Sequence, residues 1–114
     1  MKSAEAVSAL GALAQESRLD IFRLLVERGP EGLAAGKIAE LLNILPATLS
    51  FHLKELSVSG LLQSRTEGRF VYYSANFDRM NELVSFLTAN CCGGNPCVPV
   101  SFCKPPKRTS KTTA

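Results

Sequence analysis

At 114 residues the chain has room for one domain with a modest core, which pairing into a dimer would enlarge. An apolar fraction of 46% and a charged fraction of 20% are ordinary for a folded protein and exclude a low-hydropathy disordered chain, and every apolar run breaks off well short of the roughly 18 residues of a membrane span. The formal charge of +3 comes from the terminal KPPKRTSK, so a nucleic-acid surface on the body must rest on where Lys54, Arg65 and Arg69 are placed rather than on bulk basicity.

Residues 3–14, SAEAVSALGALA, repeat small and apolar side chains at helical spacing through Val7, Leu10 and Leu13 or Ala14. Alanines and Gly11 let another helix approach closely, and a helix this short needs that partner in water. The opening lacks the compact apolar core of a secretory leader, so the expected compartment is the reducing cytoplasm, where thiols stay free. Ser17 to Asp20 has the form of a capping box. It opens a helix with a broad apolar face, Leu19, Ile21, Phe22, Leu24, Leu25 and Val26, that stops at Gly29-Pro30.

GPEGLAAG supplies turn chemistry, and Lys37 to Leu42 reads as a short helix with Ile38, Leu41 and Leu42 inward. Asn43 breaks the chain, and Pro46 suits the first position of the next helix, where its missing N–H costs nothing. That helix runs to Gly60 with Leu49, Leu53 and Leu56 on one side. Two short helices joined by a tight break make a helix-turn-helix candidate. From Leu61 to Ser74 the period changes: Leu61 to Arg65 and Arg69 to Ser74 read as strands around Thr66-Glu67-Gly68. Residues 77–90 return to helical spacing through Met80, Leu83, Val84 and Leu87. Residues 1–92 are therefore expected to form the folded domain, and residues 93–114 a flexible tail carrying cysteines.

Helix, helix-turn-helix, hairpin, helix is the order of a winged helix-turn-helix domain, mainly α with a small β hairpin. With the second short helix in a major groove, its leucines face the core while Thr48, Ser50, Phe51, His52 and Lys54 take outward or flanking positions. Hydroxyls can bond base edges or phosphates, and apolar groups can meet thymine methyls. Arg65 and Arg69, near the hairpin tip, can neutralise phosphates or enter a minor groove. The plainer readings are solvated hairpin charges for the arginines and an ordinary helix residue for His52, whose lone imidazole has no neighbouring ligand in sequence. No nucleophile–base pair, phosphate loop or carboxylate dyad points to an enzyme or a catalytic cofactor.

The segments ALAQESRLDIFRLL, KIAELLNILPATLSFHLKELSVSGLL and RTEGRFVYYS together resemble the ArsR/SmtB family of bacterial metal- and metalloid-responsive repressors over about residues 8–90. The resemblance implies a homodimer whose first and last helices form much of the dimer contact, and whose recognition helices bind palindromic operator DNA. Thr48, Ser50 and His52 match the family's recognition-helix pattern, and Arg65, Gly68, Arg69 and Tyr72 match its wing. Two departures stand out. Leu45-Pro46 replaces a frequent Ser-Gln pair, removing a cap and an amide able to read adenine, and AELLNILPA contains no counterpart of the Cys-x-Cys pair of the best-known arsenic repressors.

That loss directs attention to NCCGGNPC, which holds Cys91, Cys92 and Cys97, with Cys103 following. No cysteine precedes them, so they cannot staple the body. Trivalent arsenic and antimony are soft and take three thiolates. Cys91 and Cys92 are adjacent, Gly93-Gly94 frees the chain to turn, and Cys97 can close the set, with Cys103 the alternative third ligand. Some relatives carry a comparable vicinal pair plus a later cysteine. Arsenite or antimonite is the expected effector, releasing operator on coordination. A zinc- or cadmium-responsive site, a redox-sensing disulfide and an arsenite-binding protein without a regulatory role stay open beside it, although CC-x4-C-x5-C lacks the paired C-x2-C of common zinc sites.

Overall fold

The computed structural model describes residues 1–90 and Gly93; the expectations for Cys91, Cys92, Cys97, Cys103 and the tail lie outside those residues. The elements run α1 (Ser3–Leu13), α2 (Glu16–Arg28), β1 (Leu33–Ala34), α3 (Ala35–Leu42), α4 (Pro46–Val58), β2 (Leu62–Glu67), β3 (Phe70–Ala75) and α5 (Phe77–Leu87). This is the expected winged helix-turn-helix order, mainly helical. The sheet has one strand more than the expected hairpin, in the order β1-β3-β2 and antiparallel throughout.

In α1 the inward face is Ala6, Ala9 and Ala12, all buried, while Val7 is 67% exposed and Leu10 42%. The inward face is thus the small-residue one expected to let another helix approach. Alanines three residues apart bring the helix backbone close to α2 and α4, and the larger side chains are left facing out. Helix α2 begins one residue after Gln15, whose side-chain oxygen accepts from the Arg18 N–H at 3.0 Å. The Ser17–Asp20 box therefore does not form: both residues already lie inside the helix. Ile21, Phe22 and Leu25 are buried, and Leu19 is exposed.

The core joins these residues to Ile38 of α3, to Leu49, Leu53 and Leu56 of α4, and to Leu61, Leu62, Ala75 and Leu83. Leu41, expected inside, is exposed. Asn43 ends α3 in the left-handed region, φ 55° and ψ 49°, a conformation asparagine tolerates better than most residues. Its N–H reaches the carbonyls of Ala39 and Glu40, and the chain turns directly into α4 with Pro46 at its start.

The hairpin register pairs Leu62 with Ala75 and Glu67 with Phe70, leaving Gly68-Arg69 as a two-residue loop. Thr66 and Glu67, expected in the loop, belong to β2. Gly68 has φ +63° and Arg69 does not share that sign, the pattern of a type II′ turn whose twist matches the strands. Leu33-Ala34, read as turn, instead pairs with Tyr73 and Tyr72; two residues are too few to show a strand period. Helix α5 is capped by Asn76, whose side-chain oxygen accepts from the Arg79 N–H at 3.2 Å. It ends at Leu87 rather than residue 90. Among the described residues no helix is long and apolar enough to cross a membrane.

Candidate nucleic-acid interface

Helix α4 presents the face that matters. Leu49, Leu53 and Leu56 anchor it in the core. By helical periodicity the stripe opposite them is Ala47, Phe51, Lys54 and Val58, and all four are exposed. Thr48 and Ser50 flank the stripe and are exposed as well. Leu45, immediately before the helix, is 74% exposed and supplies no side-chain cap. Sequence reasoning selected Thr48, Ser50, Phe51 and Lys54 but missed Ala47, which its place four residues before Phe51 signalled, and Leu45, whose place four residues before buried Leu49 pointed inward.

Among the described candidates, His52 is the one that the fold takes away from solvent. Its exposure is 7%, because it lies three residues after Leu49 and four before Leu56 and so borders their buried face. Its Nδ1 accepts a hydrogen bond from Nε of Arg18 at 3.2 Å. Burial, and secondarily the Arg18 charge, push the His52 pKa below its usual value, which keeps the ring neutral and Nδ1 able to accept. The outward or flanking position expected of His52 is corrected to a buried one.

Arg18 itself was not among the expected site residues. From the first turn of α2 its guanidinium lies 5.4 Å from the Phe51 ring centroid while bonding His52, and the Phe51 and His52 rings sit 5.9 Å apart with a 57° tilt. One arginine therefore ties α2 to two neighbouring side chains of α4, fixing the orientation of an exposed aromatic ring. A long-range contact between helices leaves no local signature in sequence.

In the wing, Arg65 is already engaged. Its Nε lies 2.7 Å from Glu67 Oε2, and its guanidinium is 5.0 Å from the centroid of Tyr72, its cross-strand partner. Arg69 occupies the exposed loop, and among the described residues neither Arg69 nor Lys54 has an ion-pair partner. Among the described residues the wing thus has Arg69 unpaired at its tip and Arg65 held against its sheet. Among the described residues no group of three His, Cys, Asp or Glu side chains could hold a metal ion.

A family profile described as a helix-turn-helix domain matches residues 13–65, the stretch from the end of α1 into the wing. The transcriptional activator HlyU of Vibrio cholerae is 31% identical over 93 residues, covering 82% of this chain and 83% of HlyU; its structure superposes with a TM-score of 0.62 over 79% of this chain and 95% of that one. The arsenical resistance operon repressor of Bacillus subtilis is 34% identical over 74 residues, 65% of this chain and 69% of the repressor. The chain belongs to the ArsR family of transcriptional regulators. A third ArsR-type likeness is the homodimeric winged helix-turn-helix DNA-binding domain of a possible ArsR-family regulator from Mycobacterium bovis, 28% identical with a TM-score of 0.62 over 82% of this chain and 87% of that one. This ArsR-family chain is accordingly a transcriptional regulator with a helix-turn-helix DNA-binding domain, and not an enzyme.

Proposed function

We propose that the chain is an arsenite- or antimonite-responsive repressor. In the cytoplasm, as a homodimer, it binds palindromic operator DNA, and coordination of the trivalent metalloid by Cys91, Cys92 and Cys97, or with Cys103 as third ligand, releases the operator. The observation that carries this reading is the vicinal Cys91-Cys92 pair, four residues along the chain from the end of α5, in a relative of an arsenical resistance operon repressor. Relatives include an activator as well as a repressor; a soft thiolate set suits arsenic, and the arsenical-resistance relative is the repressor.

Exposed Val7 and Leu10 on α1 and Leu87 on α5, helices that pack on one another through residues including Glu5 and Arg79 at 3.9 Å, support the dimer, as does the homodimeric Mycobacterium bovis domain. Metalloid binding at the end of α5 would then couple to the separation of two α4 helices, which must suit half-sites about one turn, roughly 34 Å, apart. By linkage, metalloid and operator weaken each other by the same factor, about 1–3 kcal/mol being enough to change occupancy substantially.

The test is fluorescence anisotropy of the reduced protein on a duplex carrying its own promoter region, titrated with arsenite, antimonite, zinc and cadmium, for the wild type and the Cys91→Ser, Cys92→Ser, Cys97→Ser and Cys103→Ser variants. Arsenite should release the wild type, while C91S and C92S bind DNA but ignore arsenite, as does one of the other two variants. Release by zinc or cadmium alone, release only on oxidation, or arsenite binding without effect on DNA would each replace this reading with another.

A further inference from the structure

The base-reading half of α4 is unusual in what it offers. Duplex DNA presents hydrogen-bonding edges in its major groove that arginine, asparagine and glutamine read in pairs of bonds, and one apolar group, the 5-methyl of thymine. Residues 45–51 contain none of those three side chains. They expose instead Leu45 at 74% and Phe51 at 55%, with Ala47 between them on the outward stripe. Large apolar groups held in water on the DNA-facing helix of a regulator gain free energy only when another apolar surface covers them.

Phe51 is also built in rather than loose. The Arg18 guanidinium lies over its ring at 5.4 Å, and Arg18 is in turn fixed by its bond to His52, so the ring is oriented before DNA arrives and loses little freedom on contact. Lys54, one turn further along the same stripe, is placed for a phosphate or a guanine edge. The charged and apolar tasks are thus divided along one helix, with the apolar end at its N-terminus, where recognition helices meet base edges.

We infer that Leu45 and Phe51 are specificity-determining residues that read thymine 5-methyl groups in the operator half-site. This rests on the DNA-binding reading above. The Leu45-Pro46 start of α4, which removes an adenine-reading amide, thereby changes which base feature is recognised rather than abolishing recognition.

The experiment enriches duplexes from a random pool with the full-length reduced protein, then replaces each thymine of the enriched half-site by deoxyuridine, one at a time, at fixed salt. Wild type should lose about fourfold in affinity for each contacted methyl. Leu45→Ala and Phe51→Ala should each bind the thymine and uracil duplexes equally at one such position, with circular dichroism and melting temperature close to wild type. Equal wild-type affinity for thymine and uracil at every position overturns the inference, and so does full thymine preference in both variants. Failure to enrich any duplex overturns the DNA-binding reading and this inference together, whereas enriched but uracil-insensitive duplexes overturn this one alone.

Discussion

His52 borders the buried face of α4 and bonds to Arg18 of α2. Polar and charged neighbours in SFHLK suggest a surface position, yet the helix turns it toward Leu49 and Leu56, where it is buried and accepts from Arg18. Its folded-state pKa lies below the ordinary 6.5, so the unfolded chain binds the proton more readily. The neutral ring's contribution to stability is therefore complete above pH about 6.5 and is lost as pH falls through the lowered folded pKa. Melting temperatures from pH 8 to pH 5 should show the wild type falling more steeply than His52→Gln, whose amide oxygen can still accept but does not titrate. Parallel curves would contradict the assignment. At this scale the exposed hydroxyls and Lys54 were legible from helical period alone; Arg18 was not, since its partners lie 34 residues away.

Among elements, helix and wing were readable because their periods extend over many residues, and the errors fall where a pattern is too short or the chemistry ambiguous. Strand β1 is two residues long. In α1 the period and the close approach through alanines were both legible, and the structure adds that Val7 and Leu10 are left outside. The same sheet separates two glycines that look alike in sequence. Gly32, φ +71°, has no room for a side chain, since a Cβ there would run into the Tyr73 carbonyl across the β1–β3 pair; Gly68, φ +63°, has open space around it. Gly68→Ala should cost about 1–2 kcal/mol from its positive φ alone, and Gly32→Ala more than that, since collision with the Tyr73 carbonyl adds to the same strain. Urea denaturation of the two variants measures this, and equal losses would contradict the close approach at Tyr73.

For the whole molecule, two pairs of exposed apolar residues lie on different helices. Leu45 and Phe51 stand at the start of α4 and on its outward face, while Val7 and Leu10 stand on α1, turned away from the core. If the α1 surface joins two copies, Val7→Lys combined with Leu10→Lys should leave the fold intact, since both side chains are already exposed, and yield monomers in analytical ultracentrifugation at micromolar concentration. An unchanged dimer would place the interface elsewhere. The DNA-binding body was legible in the sequence as a succession of elements. The proposed sensing function rests on ligand chemistry alone, from four thiols that follow α5 in the sequence, because spacing names the donors without fixing which of them meet.

The thiols carry the central claim, and X-ray absorption at the arsenic edge tests it most directly. Reduced wild-type protein given one equivalent of arsenite should show arsenic bound by three sulfurs and no oxygen, with sulfur coordination reduced in Cys91→Ser and Cys92→Ser. Arsenic that keeps its oxygen neighbours in the wild type would contradict the account.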